Sequence, residues 1–97
     1  MTIPALDIHH NRSATRFEAM VEDRLCVAEY RVHDGVMAAT RTFVPPPLEG
    51  RGIAAALVAA ALAYARINGL QVRPACSYVA RYMHRHPDTL DLLDAED

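Results

Sequence analysis

One segment narrows the possible folds more than any other: an apolar run over residues 53–65 that follows three prolines and a loop with two glycines. Eight of its residues are alanine, and Asn68-Gly69 supplies a helix stop after it. At thirteen residues the run is too short to cross a bilayer, which needs about 20. A helix with so little polar surface must pack closely on a sheet or be covered on more than one side.

The residues before this helix alternate between apolar and polar side chains, as is typical of half-buried strands. The pattern predicts strands over residues 16–21, 25–32 and 36–44. Asp34-Gly35 is a strong hairpin signal between the second and third strands. The three strands form an antiparallel meander, whose third strand is a candidate for a bulge and ends at residues 45–47, because proline cannot donate to a sheet ladder.

The residues after the helix predict a parallel crossover. Residues 70–72 read as a short strand, and a strand, a helix and a strand in sequence imply a right-handed parallel connection. A second helix is predicted over residues 77–86, with Ser77 as its cap and Pro87 marking its end.

The expected fold class is therefore α+β (α/β-type): an antiparallel meander followed by a β-α-β crossover and a C-terminal helix. A chain of 97 residues has room for one core, so a single domain over residues 1–97 is expected. Residues 1–10 show no periodicity and are predicted to be a loose arm. Residues 88–97 hold five acids and no base, which favours a solvated acidic tail over a docking tail, and residues 88–93 could add a helical turn.

Charge and composition limit the classes of partner that the chain is expected to bind. The chain has ten arginines, no lysine and a net charge of −2, which disfavours binding to a phosphate backbone. Neither nucleic acid nor a membrane is expected as a partner, and a monomer is the default expectation. No basic region precedes an apolar stretch near the first residue, so the cytoplasm is the expected compartment.

The cysteines and histidines lack metal-ligand spacing. Cys26 and Cys76 stand fifty residues apart, and Cys26 lies on an apolar strand face, which favours a place in the core. The histidine pairs, 9–10 and 84/86, have no third ligand at a useful offset, so they are interpreted as exposed side chains. No metal is expected.

The segment that carries chemistry is residues 49–54, a glycine-bearing loop between a strand and a helix. The first turn of a helix has amides without internal partners, and glycines let those amides approach an anion closely. Such a loop can hold a phosphate or pyrophosphate, with Arg51 adding a charge-assisted contact. A tight strand-to-helix turn would also require the glycines, and that explanation stays open. A P-loop needs a lysine, and a dinucleotide fingerprint needs a third glycine; neither is present.

This arrangement resembles the GNAT acetyltransferase superfamily, and the chain's length is similar to that of its short, single-domain members. The superfamily's pyrophosphate loop reads Gln/Arg-x-x-Gly-x-Gly/Ala, which matches here at Gly52 and Ala54. The resemblance covers about residues 12–87 and further includes Thr42, Val44-Pro45, Cys76, Tyr78 and Tyr82.

The resemblance implies an N-acetyltransferase that takes acetyl-CoA as cosubstrate and passes the acetyl group to an amine by direct attack in a ternary complex. The acceptor is unknown; the alternative is a CoA-binding module without transferase activity. The loop amides would hold the pyrophosphate, and the third strand would pair with the pantetheine arm. The residues implied to bind the coenzyme are Thr42, Phe43, Val44, Gly50, Arg51, Gly52, Ile53, Ala54 and Cys76.

Two positions depart from the family's pattern. Glu49 stands where the loop motif has Gln or Arg, and a carboxylate disfavours a nearby pyrophosphate, so Glu49 is assigned no binding role. Arg41 stands where family members often carry His before the residue that matches Thr42. Arg41 is interpreted either as an anion-binding residue or as a solvent-facing strand arginine.

Three residues are candidates for catalysis. Cys76 would lie near the thioester end of the coenzyme, where it either accepts the acetyl group as a thiolate or lines the slot and donates a proton. Direct transfer is the preferred hypothesis. Tyr78 and Tyr82 are one helical turn apart; either could protonate the departing thiolate, and packing on the sheet explains their spacing equally well.

Overall fold

The computed structural model describes residues 6–94. Five strands form one sheet in the order β1-β2-β3-β4-β5. The strands are β1 (His9–Asn11), β2 (Arg16–Val21), β3 (Arg24–His33), β4 (Val36–Phe43) and β5 (Gln71–Pro74). The helices are α1 (Ile53–Ile67) and α2 (Ser77–Arg85), with 3₁₀ segments at Pro46–Leu48 and Pro87–Leu92. This architecture confirms the predicted α+β class.

The sheet has the predicted meander and crossover. Strands β1 to β4 pair antiparallel in sequence, and β4 pairs with β5 in parallel through α1. Asp34 and Gly35 form the β3–β4 turn with positive φ angles of 51° and 77°, as a two-residue hairpin loop requires. The predicted bulge is at Thr40, because Ala39 pairs with Tyr30 and Arg41 with Glu29, leaving Thr40 without an opposite residue.

The core lies between one face of the sheet and α1. Leu57 and Ala65 of α1 are fully buried, and the alanine-rich surface lets the helix approach the sheet closely. The sheet residues buried in the same cluster include Phe17, Ala19, Cys26, Ala28, Tyr30, Met37 and Val72. The buried position of Cys26 agrees with its predicted place in the core. No helix within residues 6–94 has the length and apolar character that a membrane span requires.

The predicted loose arm is corrected at its C-terminal end. His9 and His10 belong to β1 and pair with Glu18 and Phe17 of β2. The His10 ring stacks on Phe17 at a centroid distance of 4.0 Å, and its Nε2 is hydrogen-bonded to the Tyr30 hydroxyl at 2.5 Å. These contacts hold the strand in place and make His10 a half-buried residue rather than an exposed one. Residues 1–5 of the predicted arm lie outside the described residues.

The predicted acidic tail is corrected as well. The segment Pro87–Leu92 is a 3₁₀ helix, Leu92 is buried, and Leu93 forms a parallel bridge with Val72. Asp94 is buried and its carboxylate lies 2.6 Å from the guanidinium of Arg73. The 3₁₀ segment agrees with the helical turn expected over residues 88–93, but the leucines between the acids pack against the core, so the segment is not a solvated tail. Residues 95–97 of the predicted tail lie outside the described residues.

Candidate active site

A cleft opens where β4 parts from β5. The parallel register ends at Ala39 opposite Pro74, and the Cys76 amide then donates to the Ala39 carbonyl at 2.9 Å. Beyond this point Thr42 and Phe43 of β4 pair with β3 on their other side. The free edge borders a cleft of about 500 Å³. Its lining residues are Thr42, Phe43, Val44, Pro46, Leu48, Glu49, Gly50, Gly52, Ile53, Ala54, Ala55 and Tyr78.

The loop from β4 to α1 forms one end of this cleft. Leu48 is fully buried and anchors the 3₁₀ turn, after which Gly50 and Gly52 take left-handed φ angles of 81° and 80°. An L side chain is strained in that region, so the turn itself requires glycine at both positions. A Cβ atom built on Gly50 would meet open space, so backbone geometry and not crowding selects glycine there.

Helix α1 begins at this loop with its first amides open. Gly52 is the N-cap residue, and no side chain of residues 6–94 caps the helix. The first amides of a helix have no intrahelical acceptor, and its N-terminus carries a partial positive charge. Ile53, Ala54 and Ala55 follow Gly52 and line the cleft. Both the backbone and the helix dipole therefore favour an anion at this end.

Cys76 lies behind the Thr42 side of the cleft. It is the N-cap residue of α2, is half-buried, and its thiol donates a hydrogen bond to Thr42 Oγ1 at 3.6 Å. Burial raises the pKa of this thiol, but hydrogen bonds from the Val79 amide, the Thr42 hydroxyl and the Tyr78 amide stabilise the thiolate. The net effect is a pKa below the ordinary value. Burial raises the pKa of the Cys26 thiol, which has no such partners.

A family model for GCN5-related N-acetyltransferases matches residues 16–92. The chain belongs to this family. No curated protein matches the chain. The match confirms the resemblance that the loop and strand motifs predicted, and it supports acyl transfer as the general class of activity. It covers the cleft, its glycine loop and both helices.

In this GCN5-related chain, the predicted coenzyme-binding residues come together with two exceptions. Thr42, Phe43, Val44, Gly50, Gly52, Ile53 and Ala54 all line the cleft. Arg51 does not line it; its guanidinium pairs with the Glu22 carboxylate in the β2–β3 turn. Cys76 contacts the cleft through Thr42 rather than forming its wall.

The two departures from the family pattern have different surroundings. Glu49 lines the cleft and is exposed. The Arg41 guanidinium lies 3.6 Å from the Glu29 carboxylate and 5.0 Å from the centre of the Phe43 ring. Arg41 and Phe43 alternate with Thr42 along β4, so they lie on the sheet face opposite α1. Arg41 is thus an exposed strand arginine that does not line the cleft.

The two tyrosines of α2 lie in different places. Tyr78 lines the cleft, whereas Tyr82 lines a neighbouring cleft of about 420 Å³ and stacks on His86 at a centroid distance of 3.9 Å. Burial, and then the nearby Tyr78 and Asp88, raise the pKa of Tyr82. Across residues 6–94 no three His, Cys, Asp or Glu side chains form a group that could hold a metal ion.

Sequence reasoning missed part of the lining. Pro46 and Leu48 lie in the loop before the glycines, and Ala55 extends the first turn of α1. The second cleft was missed altogether, although its α2 residues recur at helical spacing in the sequence.

Proposed function

We propose that the chain binds acetyl-CoA in the cleft beside β4 and transfers the acetyl group to an amine. The observation that carries this proposal is the junction of three features at one cleft: the free edge of β4, two left-handed glycines and the uncapped start of α1. Each feature alone has a structural explanation. Together they offer an extended slot with an anion-binding site at one end. This arrangement complements the extended shape and the negative charge of a pantetheine diphosphate.

The anion site suits the pyrophosphate. Backbone N–H groups from Gly50 to Ala54 would donate to its oxygens, and the dipole of α1 would favour its negative charge. No arginine lines this cleft, so the amides would carry most of the binding. Glu49 is the one unfavourable group, because its carboxylate borders the same space.

The free edge of β4 suits the pantetheine arm. This arm carries two amide groups in an extended chain, and an unpaired strand edge binds such a chain by main-chain hydrogen bonds. Thr42, Phe43 and Val44 would supply these contacts. The thioester would then lie toward the point where β4 and β5 part, near Thr42 and Cys76.

Direct transfer at that point is chemically balanced. The lone pair of a neutral amine attacks the thioester carbonyl carbon, a C–N bond forms, and the C–S bond then breaks to release the CoA thiolate. The proton lost by the attacking nitrogen passes to water, the thiolate takes one from the cleft wall, and solvent then reprotonates the donor. A strand amide near Val44 would stabilise the oxyanion, and the Tyr78 hydroxyl, as part of the cleft wall, would protonate the thiolate.

A covalent route through Cys76 is the competing mechanism. Its thiol has a lowered pKa, which favours the thiolate needed for attack on the thioester. However, the thiol is hydrogen-bonded to Thr42 and does not line the cleft, whereas Tyr78 lines it. These positions favour direct transfer, with Cys76 supporting Thr42.

Titration calorimetry with CoA and acetyl-CoA tests the binding site. We expect both ligands to bind with one-to-one stoichiometry and to raise the melting temperature, because a ligand that binds only the folded state stabilises it. Failure of both ligands to bind would overturn the proposal.

Release of free thiol from acetyl-CoA with a panel of amines tests the transferase. Arg41 stands where family members often carry His, which favours a second candidate function, a CoA-binding module without turnover. Amine-dependent thiol release above the uncatalysed rate supports the enzyme. Tight coenzyme binding without any release would support the module instead.

A further inference from the structure

A second cleft adjoins the first. It has a volume of about 420 Å³ and shares Ala55 and Tyr78 with the candidate coenzyme site. Tyr78, Arg81, Tyr82 and Arg85 line it, at the i, i+3, i+4, i+7 spacing that places side chains on one stripe of a helix. The two clefts therefore adjoin at Ala55, in the first turn of α1, and at Tyr78.

Neither arginine of this stripe is among the five arginines that form an ion pair with an acid within residues 6–94. Arg16, Arg41, Arg51, Arg66 and Arg73 each form an ion pair with an acid. Within residues 6–94 neither Arg81 nor Arg85 forms one, although they stand one turn apart, where like charges repel. His86 adds a third basic side chain to the same wall. In a chain of net charge −2, this local excess of positive charge favours a dianion.

The chemistry of the coenzyme supplies such a group. Coenzyme A carries a pyrophosphate and, on its ribose, a separate 3′-phosphate monoester. The glycine-loop amides suit the first, but the first cleft has no cationic side chain for the second and contains Glu49. A guanidinium binds a phosphate with two parallel hydrogen bonds, which suits a terminal monoester. The half-buried ring of Tyr82, between the two arginines, offers apolar surface to the adenine.

We propose that Arg81 and Arg85 bind the 3′-phosphate of the coenzyme and make the chain selective for CoA over 3′-dephospho-CoA. This inference rests on the proposed function. It assigns α2 a role in coenzyme selection that is separate from the amide site of the loop, because it acts on a different phosphate. The two sites share one ligand and meet at Ala55.

Calorimetry with CoA and 3′-dephospho-CoA tests the inference. We expect the wild-type chain to bind CoA at least tenfold more tightly. In the double variant Arg81→Gln/Arg85→Gln, CoA affinity should fall to that of 3′-dephospho-CoA, whose own affinity should stay unchanged. The control Arg24→Gln/Arg31→Gln removes the same charge from exposed arginines of β3 that line neither cleft, and it should keep the preference.

The outcomes separate this inference from the proposed function. Equal binding of the two ligands by the wild-type chain would overturn the inference alone, as would an equal loss for both ligands in the double variant. Loss of activity toward acidic acceptors with unchanged CoA affinity would also overturn it, because the cleft would then serve the acceptor. Binding of neither ligand would reject the proposed function and the inference with it.

Discussion

The Cys76 thiol donates a hydrogen bond to the Thr42 hydroxyl across the point where β4 and β5 part. This contact joins the start of α2 to the free edge of β4. It also places the thiol with the lowered pKa next to a residue that lines the cleft. Whether acetyl passes through this sulfur is therefore the sharpest mechanistic question that the geometry raises.

We predict that Cys76 supports the position of Thr42 but does not carry the acetyl group. The variant Cys76→Ala should keep CoA affinity within a few-fold and retain measurable turnover, because the amine attacks the coenzyme directly. Mass spectrometry of the intact wild-type chain after exposure to acetyl-CoA without amine should show no adduct at Cys76. An acetyl adduct at Cys76, together with loss of all turnover in Cys76→Ala, would establish the covalent route.

For Tyr78 we predict a role as proton donor. Loss of a general acid typically lowers rates by about 10²-fold or more, so Tyr78→Phe should reduce kcat while KM for acetyl-CoA changes little. Tyr82→Phe is the matched control, because Tyr82 lies one turn along α2, in the neighbouring cleft, and stacks on His86. Equal kcat in both variants would refute the assignment of Tyr78.

For the start of α1 we predict that one added carboxylate weakens coenzyme binding without destabilising the chain. Ala54→Asp places a negative charge in the first turn, where it stabilises the helix by about 0.3–1 kcal/mol and offsets the lower helix propensity of Asp. The same charge should repel the pyrophosphate and weaken CoA binding tenfold or more. Ala63→Asp adds the same charge to an exposed position nine residues further along α1 and should leave CoA affinity unchanged. Unchanged affinity in Ala54→Asp would contradict an anion site at the helix start.

For Glu49 we predict that removal of the charge improves binding. Glu49→Gln restores an amide at the position where the family motif has Gln or Arg, and it deletes the one carboxylate on the cleft wall. CoA should bind several-fold more tightly, with the largest gain at low ionic strength because screening weakens the repulsion at high salt. Weaker binding in this variant would show that Glu49 contributes a favourable contact.

The meander, the crossover and the glycine loop could be predicted from sequence because each has a local cause. Alternating side chains, an Asp34-Gly35 turn, consecutive prolines and glycines before an alanine-rich helix each restrict the backbone at short range. The cleft residues of β4 and the loop followed from the family motif. These parts of the fold needed no knowledge of long-range contacts.

The parts that were missed depend on distant partners. His10 is held in β1 by contacts with Phe17 and Tyr30, which no local pattern reveals. Leu92 packs in the core and Leu93 pairs with Val72 of β5, although the acidic composition of their segment is typical of a solvated tail. Arg51 pairs with Glu22 from a turn 29 residues earlier and not with the cleft.

The half-buried His10 of the edge strand β1 predicts a pH dependence of stability. Burial, then the charges of Arg12 and His9, lower the pKa of His10 in the folded chain. Below the ordinary histidine pKa of about 6.5, His10 takes up a proton in the unfolded chain but stays neutral in the folded chain. The contribution of neutral His10 to the free energy of unfolding is therefore fully present above that pH and is lost as the pH falls through the folded pKa. We expect the free energy of unfolding, from urea titrations, to fall between pH 7.5 and 5.5. His10→Gln should flatten this dependence, whereas His33→Gln, at a largely exposed side chain, should keep it. The same slope in both variants would show that His10 does not govern it.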